Sequence, residues 1–314
     1  MGAGSVCAMN KAADITVVVS TFDDDDLSSA LKSLSGQTYK KFKVVLINDG
    51  GRDVAETVKQ FSNLQIEYVS HKQNKGLAVR LNEAIDMVDT EFIARFDADD
   101  FCLPERLEVQ RNHTLENGLD LIGCATISMA KGGSFKLNKV TTSPVCISEA
   151  ALVGTPLSHP TYFGRSEVFR SIRYDERFKY SQDYDFVCRT LLAGFQVGNC
   201  PEALLVYQIG DALNWNKILF QIRASNAISD AYRRAKSGNG VYSVDPPTKT
   251  SGAVERFFLR QRRHAFSQKD KFRKFMFCFS YFVLSGLFSP SQRKFNIRNF
   301  VFGKSWVLKR RLPK

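Results

Sequence analysis

The sequence predicts an α/β fold: a mostly parallel sheet flanked by helices, with a helical, basic C-terminal extension. Three observations lead there. Short apolar, β-branched runs alternate with segments of helical spacing over residues 14–118. Their connections are short and polar, as in βαβ units and unlike a chain of hairpins. The stretch from Glu255 to Lys314 carries 16 Lys+Arg against two acids, whereas the other 254 residues carry 28 against 30.

Asp14 to Ser20 is a continuous β-branched run, followed by a polar turn and a helix near Asp25 to Leu34. Phe42 to Asn48 is a second strand, followed by Asp49-Gly50-Gly51 and a helix from about Asp53 to Phe61. Leu64 to Ser70 alternates as a third strand. Gly76 to Val88 spaces Leu77, Leu81, Ala84, Ile85 and Val88 on one helical face. Glu91 to Phe96 is a fourth strand that ends in Asp97-Ala98-Asp99-Asp100. In parallel sheets ligands bind beyond the carboxyl ends of strands, where the polar clusters after Ser20, Asn48 and Phe96 fall.

Past residue 118 the pattern loosens into shorter strands at Leu119 to Ser128, Ser134 to Val140, Thr161 to Gly164 and Ala203 to Ile209. Helices are expected at Gln182 to Ala193 and Asn214 to Lys236. Ser237 to Ala253, with Gly238, Gly240, Pro246, Pro247 and Gly252, reads as a linker. No internal repeat recurs at a fixed period.

Composition excludes several classes. Of 314 residues, 44% are hydrophobic and 12% aromatic, which excludes a disordered or low-complexity chain. Seven cysteines form no C-x-x-C pair, arguing against a disulfide framework or structural zinc and for a reducing compartment. No secretory signal is expected from the start of the chain, and Val6 stands where myristoylation wants Ser or Thr. The strongly apolar part of Phe275 to Gln292 is about fifteen residues, short of the ~20 of a spanning helix.

Three carboxylates within four residues, Asp97, Asp99 and Asp100, repel one another unless a cation sits among them. Hard oxygen ligands suit Mg²⁺ or Mn²⁺. A solvated acidic turn, capping the helix near Pro104, is the alternative.

Four segments then occur in order: Val17-Val-Val-Ser-Thr-Phe-Asp23, Val44-Val-Leu-Ile-Asn-Asp-Gly-Gly51, Asn74-Lys-Gly-Leu-Ala-Val-Arg-Leu-Asn82 and Asp97-Ala-Asp-Asp-Phe-Cys-Leu-Pro-Glu-Arg-Leu107. Together they resemble the inverting family 2 glycosyltransferases of GT-A (Rossmann-like) fold, over roughly residues 14–210. The resemblance implies that Asp49 meets the base of a nucleoside diphosphate sugar, usually uridine, in a pocket that Ser20, Thr21 and Asp23 line. It places Arg80 near the nucleotide, Asp97 near the ribose and Asp99 on the metal, with Asp100 able to share either role. Asn48-Asp49-Gly50-Gly51 stands where Asp-Asp-Gly-Ser is commoner, and Asp49 is kept. Taken singly, Arg80 reads as an ion-pair residue and Asp49 as a turn or cap residue.

Tyr180-Ser-Gln-Asp-Tyr-Asp-Phe-Val-Cys-Arg189 resembles the family's Glu-Asp-x-Asp segment, whose second acid is the catalytic base. That maps to Asp183, with Gln182 in place of Glu and Asp185 as the rival base. A carboxylate here would take the proton of the acceptor hydroxyl. Taken alone, Asp183 also reads as a helix N-terminal acid favoured by the macrodipole, and the upstream motifs favour it as the base. Leu157-Ser-His-Pro-Thr-Tyr-Phe-Gly-Arg165 resembles a family His-Pro segment, which puts His159 near the diphosphate or the acceptor. His71, His113 and His264 show no ligand spacing.

The resemblance divides the chain into a tail (1–13), a catalytic domain (14–211) and a basic helical region (212–314). Residues 14–118 would bind the nucleotide sugar and 119–211 the acceptor. Basic residues flank the apolar segment Phe275 to Leu284, which suits an anionic membrane surface. Packing on the catalytic body, a solvated basic helix face and single-stranded nucleic acid are the other readings. Nucleic acid accounts for nothing upstream and is not expected. The expectation is a metal-dependent enzyme (Mn²⁺ or Mg²⁺) that moves a sugar, most simply from a UDP-sugar, to a saccharide or lipid-linked saccharide acceptor in surface polysaccharide assembly. It would be cytoplasmic and peripheral on the inner membrane's cytoplasmic face. The rivals are a polyprenyl-phosphate sugar synthase, disfavoured by Asp100-Phe-Cys-Leu-Pro-Glu105, and a non-catalytic nucleotide-sugar or membrane-binding module.

Overall fold

The computed structural model describes residues 13–130, 133–209 and 215–247. The basic segment from Glu255 onward, with its expected membrane contact, lies outside the described residues, as does most of the N-terminal tail.

Strands β1 (Ile15–Thr21), β2 (Phe42–Asn48), β3 (Ile66–Ser70) and β4 (Phe92–Asp97) pair in parallel in the order β3-β2-β1-β4. Helices α1 (Leu27–Ser35), α2 (Ala55–Lys59) and α3 (Leu77–Asp86) connect them. The continuous apolar runs follow from burial on both faces. Val17, Val19, Val44, Leu46, Ala94 and Phe96 pack toward α1 and Leu107 of α4 (Arg106–Glu116). Their neighbours Val18, Val45, Ile47 and Ile93 pack toward α3 on the other side. On α1, Leu27, Ala30, Leu31 and Leu34 recur at helical spacing, and all four are buried.

The second half continues the same sheet with mixed pairing. It adds β5 (Phe101–Cys102), β6 (Leu121–Ala130), β7 (Phe135–Asn138), β8 (Phe163–Arg165) and β9 (Val197–Ile209). From β4 the order runs β8-β6-β9-β5, with β7 on β6. β8 is antiparallel to β4 and β6, whereas β6 and β9 are parallel. The strand expected at Ala203 to Ile209 is the second half of β9. Pro201 and the register shifts opposite Cys124 to Thr126 interrupt that strand, which is why its first half shows no strand pattern. Two unexpected helices, α5 (Pro144–Ala150) and α6 (Ser166–Ile172), are too short to display a period.

Helix α7 (Gln182–Leu192) packs against α8 (Trp215–Lys236) through Tyr184, Cys188, Ala224, Ile228 and Tyr232. The turn-rich stretch after Lys236 has no regular structure over 241–247, yet it is tethered to the body. Val244 is buried in the α7–α8 cluster and the Tyr242 hydroxyl donates to Asp185. Among the described residues no helix is long and apolar enough to cross a membrane.

Candidate active site

Parallel register brings the polar strand ends together. Ser20 sits opposite Asp97, and Thr21 opposite Asn48. Just past β1, Asp23 adopts a left-handed backbone (φ 57°) and accepts the Arg52 N–H at 2.7 Å. The Thr21 hydroxyl donates to Asp24 at 2.9 Å. Phe22, between them, is 48% exposed. Its position went unremarked in the sequence, although a large aromatic in a polar turn is the signal for a stacking surface.

Asp49 is buried at the end of β2. Its Oδ1 accepts the Lys75 N–H at 2.8 Å and Arg80 Nε at 2.6 Å, and its Oδ2 accepts the Gly76 N–H at 2.8 Å. Arg80 is buried beneath it, each of its nitrogens engaged by the protein. The ion-pair role that Arg80 would have on its own is therefore filled.

The acidic cluster closes β4. Asp97, Asp99 and Asp100 each offer an oxygen within 4.8 Å of the others. Asp100 is 1% exposed: its Oδ1 accepts the Gln208 N–H at 3.2 Å, and its Oδ2 is buried with no hydrogen-bond partner. Burial, then the charges of Asp97 and Asp99, pushes Asp100 up to about 8. Asp99 is exposed, and partial desolvation with the Asp97 charge raises it as well. An all-oxygen donor set with one orphaned buried oxygen fits a hard divalent cation, which would offset the mutual repulsion. The Gln208 side chain donates to the Asp99 carbonyl at 2.9 Å, so β9 buttresses the cluster.

Behind the cluster lies a charge whose role the sequence reading missed. Arg95, 3% exposed in the middle of β4, pairs through Nη2 with Asp97, while its Nε and Nη1 have no partner. An arginine inside an otherwise apolar run was the available signal, since such charges are seldom buried without a task.

Ser181 takes a left-handed conformation (φ 64°) and starts α7. Asp183 is in the first turn, its carbonyl accepting the Tyr162 hydroxyl at 3.2 Å. Burial raises its proton affinity, with Arg95 opposing and Asp97 adding to the effect, so the base candidate shares a field with the acidic cluster. Asp185 faces elsewhere: its Oδ2 pairs with Arg189 at 2.6 Å. Gln182 is buried, with Oε1 unpartnered. His159 opens a single 3₁₀ turn (His159–Thr161), and its Nε2 lies 3.0 Å from the Tyr174 hydroxyl. Burial and then the nearby Arg95 charge lower its pKa well below the usual histidine range, which leaves a neutral imidazole.

The structure thus gathers Ser20, Thr21, Asp23, Asp49, Asp97, Asp99 and Asp100 at the carboxyl ends of β1, β2 and β4, and brings His159 and Asp183 into the field of Arg95. Such an arrangement can bind a polyanion through a cation on one side and remove a proton on the other.

Comparison with known proteins gives a consistent result. The family model described as Glycosyl transferase family 2 matches residues 16–186. The chain is similar to the amylovoran biosynthesis glycosyltransferase AmsE of Erwinia amylovora, 28% identical over 66% of this chain and 83% of that one. Among solved structures it resembles S. aureus TarS 1–349 in complex with UDP-GlcNAc, with TM-score 0.59 and 15% identity over 94% of this chain and 92% of that one. It also resembles the mannosyltransferase PcManGT of Pyrobaculum calidifontis in complex with GDP-Man and Mn²⁺, with TM-score 0.56 and 13% identity over 95% and 87% of the two chains. The fold is that of GT-A glycosyltransferases.

Proposed function

The chain belongs to glycosyl transferase family 2 and is a glycosyltransferase, and on that premise we propose that it is a metal-dependent inverting enzyme that transfers one sugar from a UDP-sugar to a lipid-linked saccharide. The observation that carries this reading is the acidic cluster at the strand ends with Asp183 inside its electrostatic reach.

Asp99, with Asp100 or Asp97, would hold Mn²⁺ or Mg²⁺. Bound there, the cation offsets negative charge on the departing diphosphate. Ser20, Thr21, Asp23 and Asp49 bind the nucleoside, and Phe22 offers a face for its base. Asp49 Oδ2 receives one backbone donor, and a carboxylate oxygen can accept a second. A single free acceptor suits the lone imide N–H of uracil better than the paired donors of guanine.

Asp183 takes the proton of the acceptor hydroxyl as its oxygen forms a bond to the anomeric carbon. The bond from that carbon to the diphosphate oxygen breaks, and UDP leaves with the electron pair. One displacement inverts the anomeric centre, so an α-linked donor yields a β-linkage. Neutral His159, held by Tyr174, would donate a hydrogen bond to the diphosphate or the acceptor, and Gln182 would face the acceptor.

The AmsE likeness supports a place in surface polysaccharide assembly, and the basic C-terminal region would hold the enzyme on the cytoplasmic face of the inner membrane. A screen of nucleotide sugars, with and without Mn²⁺, for thermal stabilisation and donor hydrolysis tests the reading. Metal-dependent stabilisation by one UDP-sugar is expected. No stabilisation by any nucleotide sugar would overturn it.

A further inference from the structure

Two residues without an assigned role complete a ring behind the pocket at Asp49. Arg80 Nε donates to Asp49 Oδ1 at 2.6 Å, Nη1 to Glu83 Oε2 at 2.9 Å and Nη2 to the Gln73 carbonyl at 2.8 Å. The other Glu83 oxygen lies 2.7 Å from His71 Nε2. Facing a carboxylate that Arg80 holds below its usual pKa, this ring nitrogen carries the proton and donates it. The backbone N–H of His71 donates to the Asn48 carbonyl at 3.0 Å, so the chain Asp49–Arg80–Glu83–His71 returns to the turn where it began.

The ring encloses the backbone of residues 73–76. The Lys75 and Gly76 N–H groups bind Asp49, and a Cβ at Gly50 would stand 2.6 Å from the Gln73 carbonyl carbon, so turn and loop are in contact. The Arg80 side chain is 3% exposed, but those of Glu83 and His71 are 32% and 30% exposed. A partly exposed pair of this kind adds little to global stability. Its effect is local: it fixes the third attachment of a guanidinium that aims a buried carboxylate.

We propose that Glu83 and His71 are positioning residues for the donor, holding Arg80, and through it Asp49 and the 73–76 loop, in the conformation that receives the nucleobase. This rests on the reading that Asp49 meets the base.

The test is calorimetric titration of the full chain with UDP and Mn²⁺, alongside thermal unfolding. Glu83→Gln and His71→Ala are each expected to weaken UDP binding about tenfold with little change in Tm. His71→Gln, which keeps an N–H for Glu83, should recover most of the affinity. The double variant Glu83→Gln/His71→Ala should bind no more weakly than Glu83→Gln alone, because one ring is broken once. Wild-type affinity in Glu83→Gln, or equal losses in His71→Ala and His71→Gln, would overturn the proposal. Asp49→Asn separates the two levels. If it weakens binding while Glu83→Gln does not, only the ring fails. If Asp49→Asn binds like wild type, the base-pocket reading fails and the ring with it.

Discussion

Arg189 closes on Asp185 across one turn of α7, with Nη2 2.6 Å and Nε 2.8 Å from the same carboxylate oxygen. The Tyr242 hydroxyl donates to the other oxygen at 2.8 Å. Asp185, at 2% exposure, is therefore committed to tying α7 to the chain beyond α8. Asp183, two residues earlier, draws on the backbone N–H groups of its own helix start and lies in the field of Arg95 and Asp97.

That contrast separates the two acids by experiment. Asp183→Asn is expected to lower transfer by about 10²–10⁴-fold and to leave UDP binding near wild type. Asp185→Asn should instead cost about 3 kcal/mol of stability, because Arg189 loses its buried partner. Calorimetry and an activity assay on both variants decide it, and full turnover by Asp183→Asn would remove it as the base.

The pH dependence follows from the raised proton affinity of Asp183. A base works only when ionised, so activity is lost on acidification through its pKa. Burial places that loss above the ordinary carboxylate value of about 4. A profile of kcat against pH that stays flat down to pH 4 would contradict the assignment.

Removing the cation should have two consequences. Chelation is expected to abolish transfer, and Mn²⁺ or Mg²⁺ should restore it. Asp99→Ala should lose activity together with the thermal stabilisation that the metal gives to wild type. Undiminished metal-induced stabilisation in Asp99→Ala would shift ligation to Asp97 and Asp100.

Gly50→Ala tests the packing of the base pocket. Gly50 has φ 88°, and an added Cβ would meet the backbone of Gln73 and Asn74 at 2.6 and 2.7 Å. The turn and the 73–76 loop must separate, costing about 1–3 kcal/mol and weakening UDP binding. Unaltered UDP affinity in Gly50→Ala would show that the loop does not shape the pocket.

The basic C-terminal region is tested by flotation with vesicles containing anionic lipid. Deleting Glu255–Lys314 should abolish vesicle binding and spare donor hydrolysis. Each Lys or Arg near such a surface contributes ~1 kcal/mol, so raised salt should release the full chain. Equal flotation of the truncated and full chains would dismiss the role.

By itself the sequence determined the alternation of strands and helices through residue 118, the polar ends of β1, β2 and β4, and the acidic cluster closing β4. These are local patterns, set by neighbours within a few residues, and the four segments in register name a family from them. Tertiary structure alone decided which of Asp183 and Asp185 is spent on an ion pair, because Tyr242 is 57 residues from Asp185 in the chain. It alone buried Arg95 behind Asp97 and brought His71 onto Glu83. Periodicity in a sequence records which face a residue occupies. It carries no record of which distant side chain arrives opposite that face, and the charges of this site are paired or left free by those arrivals.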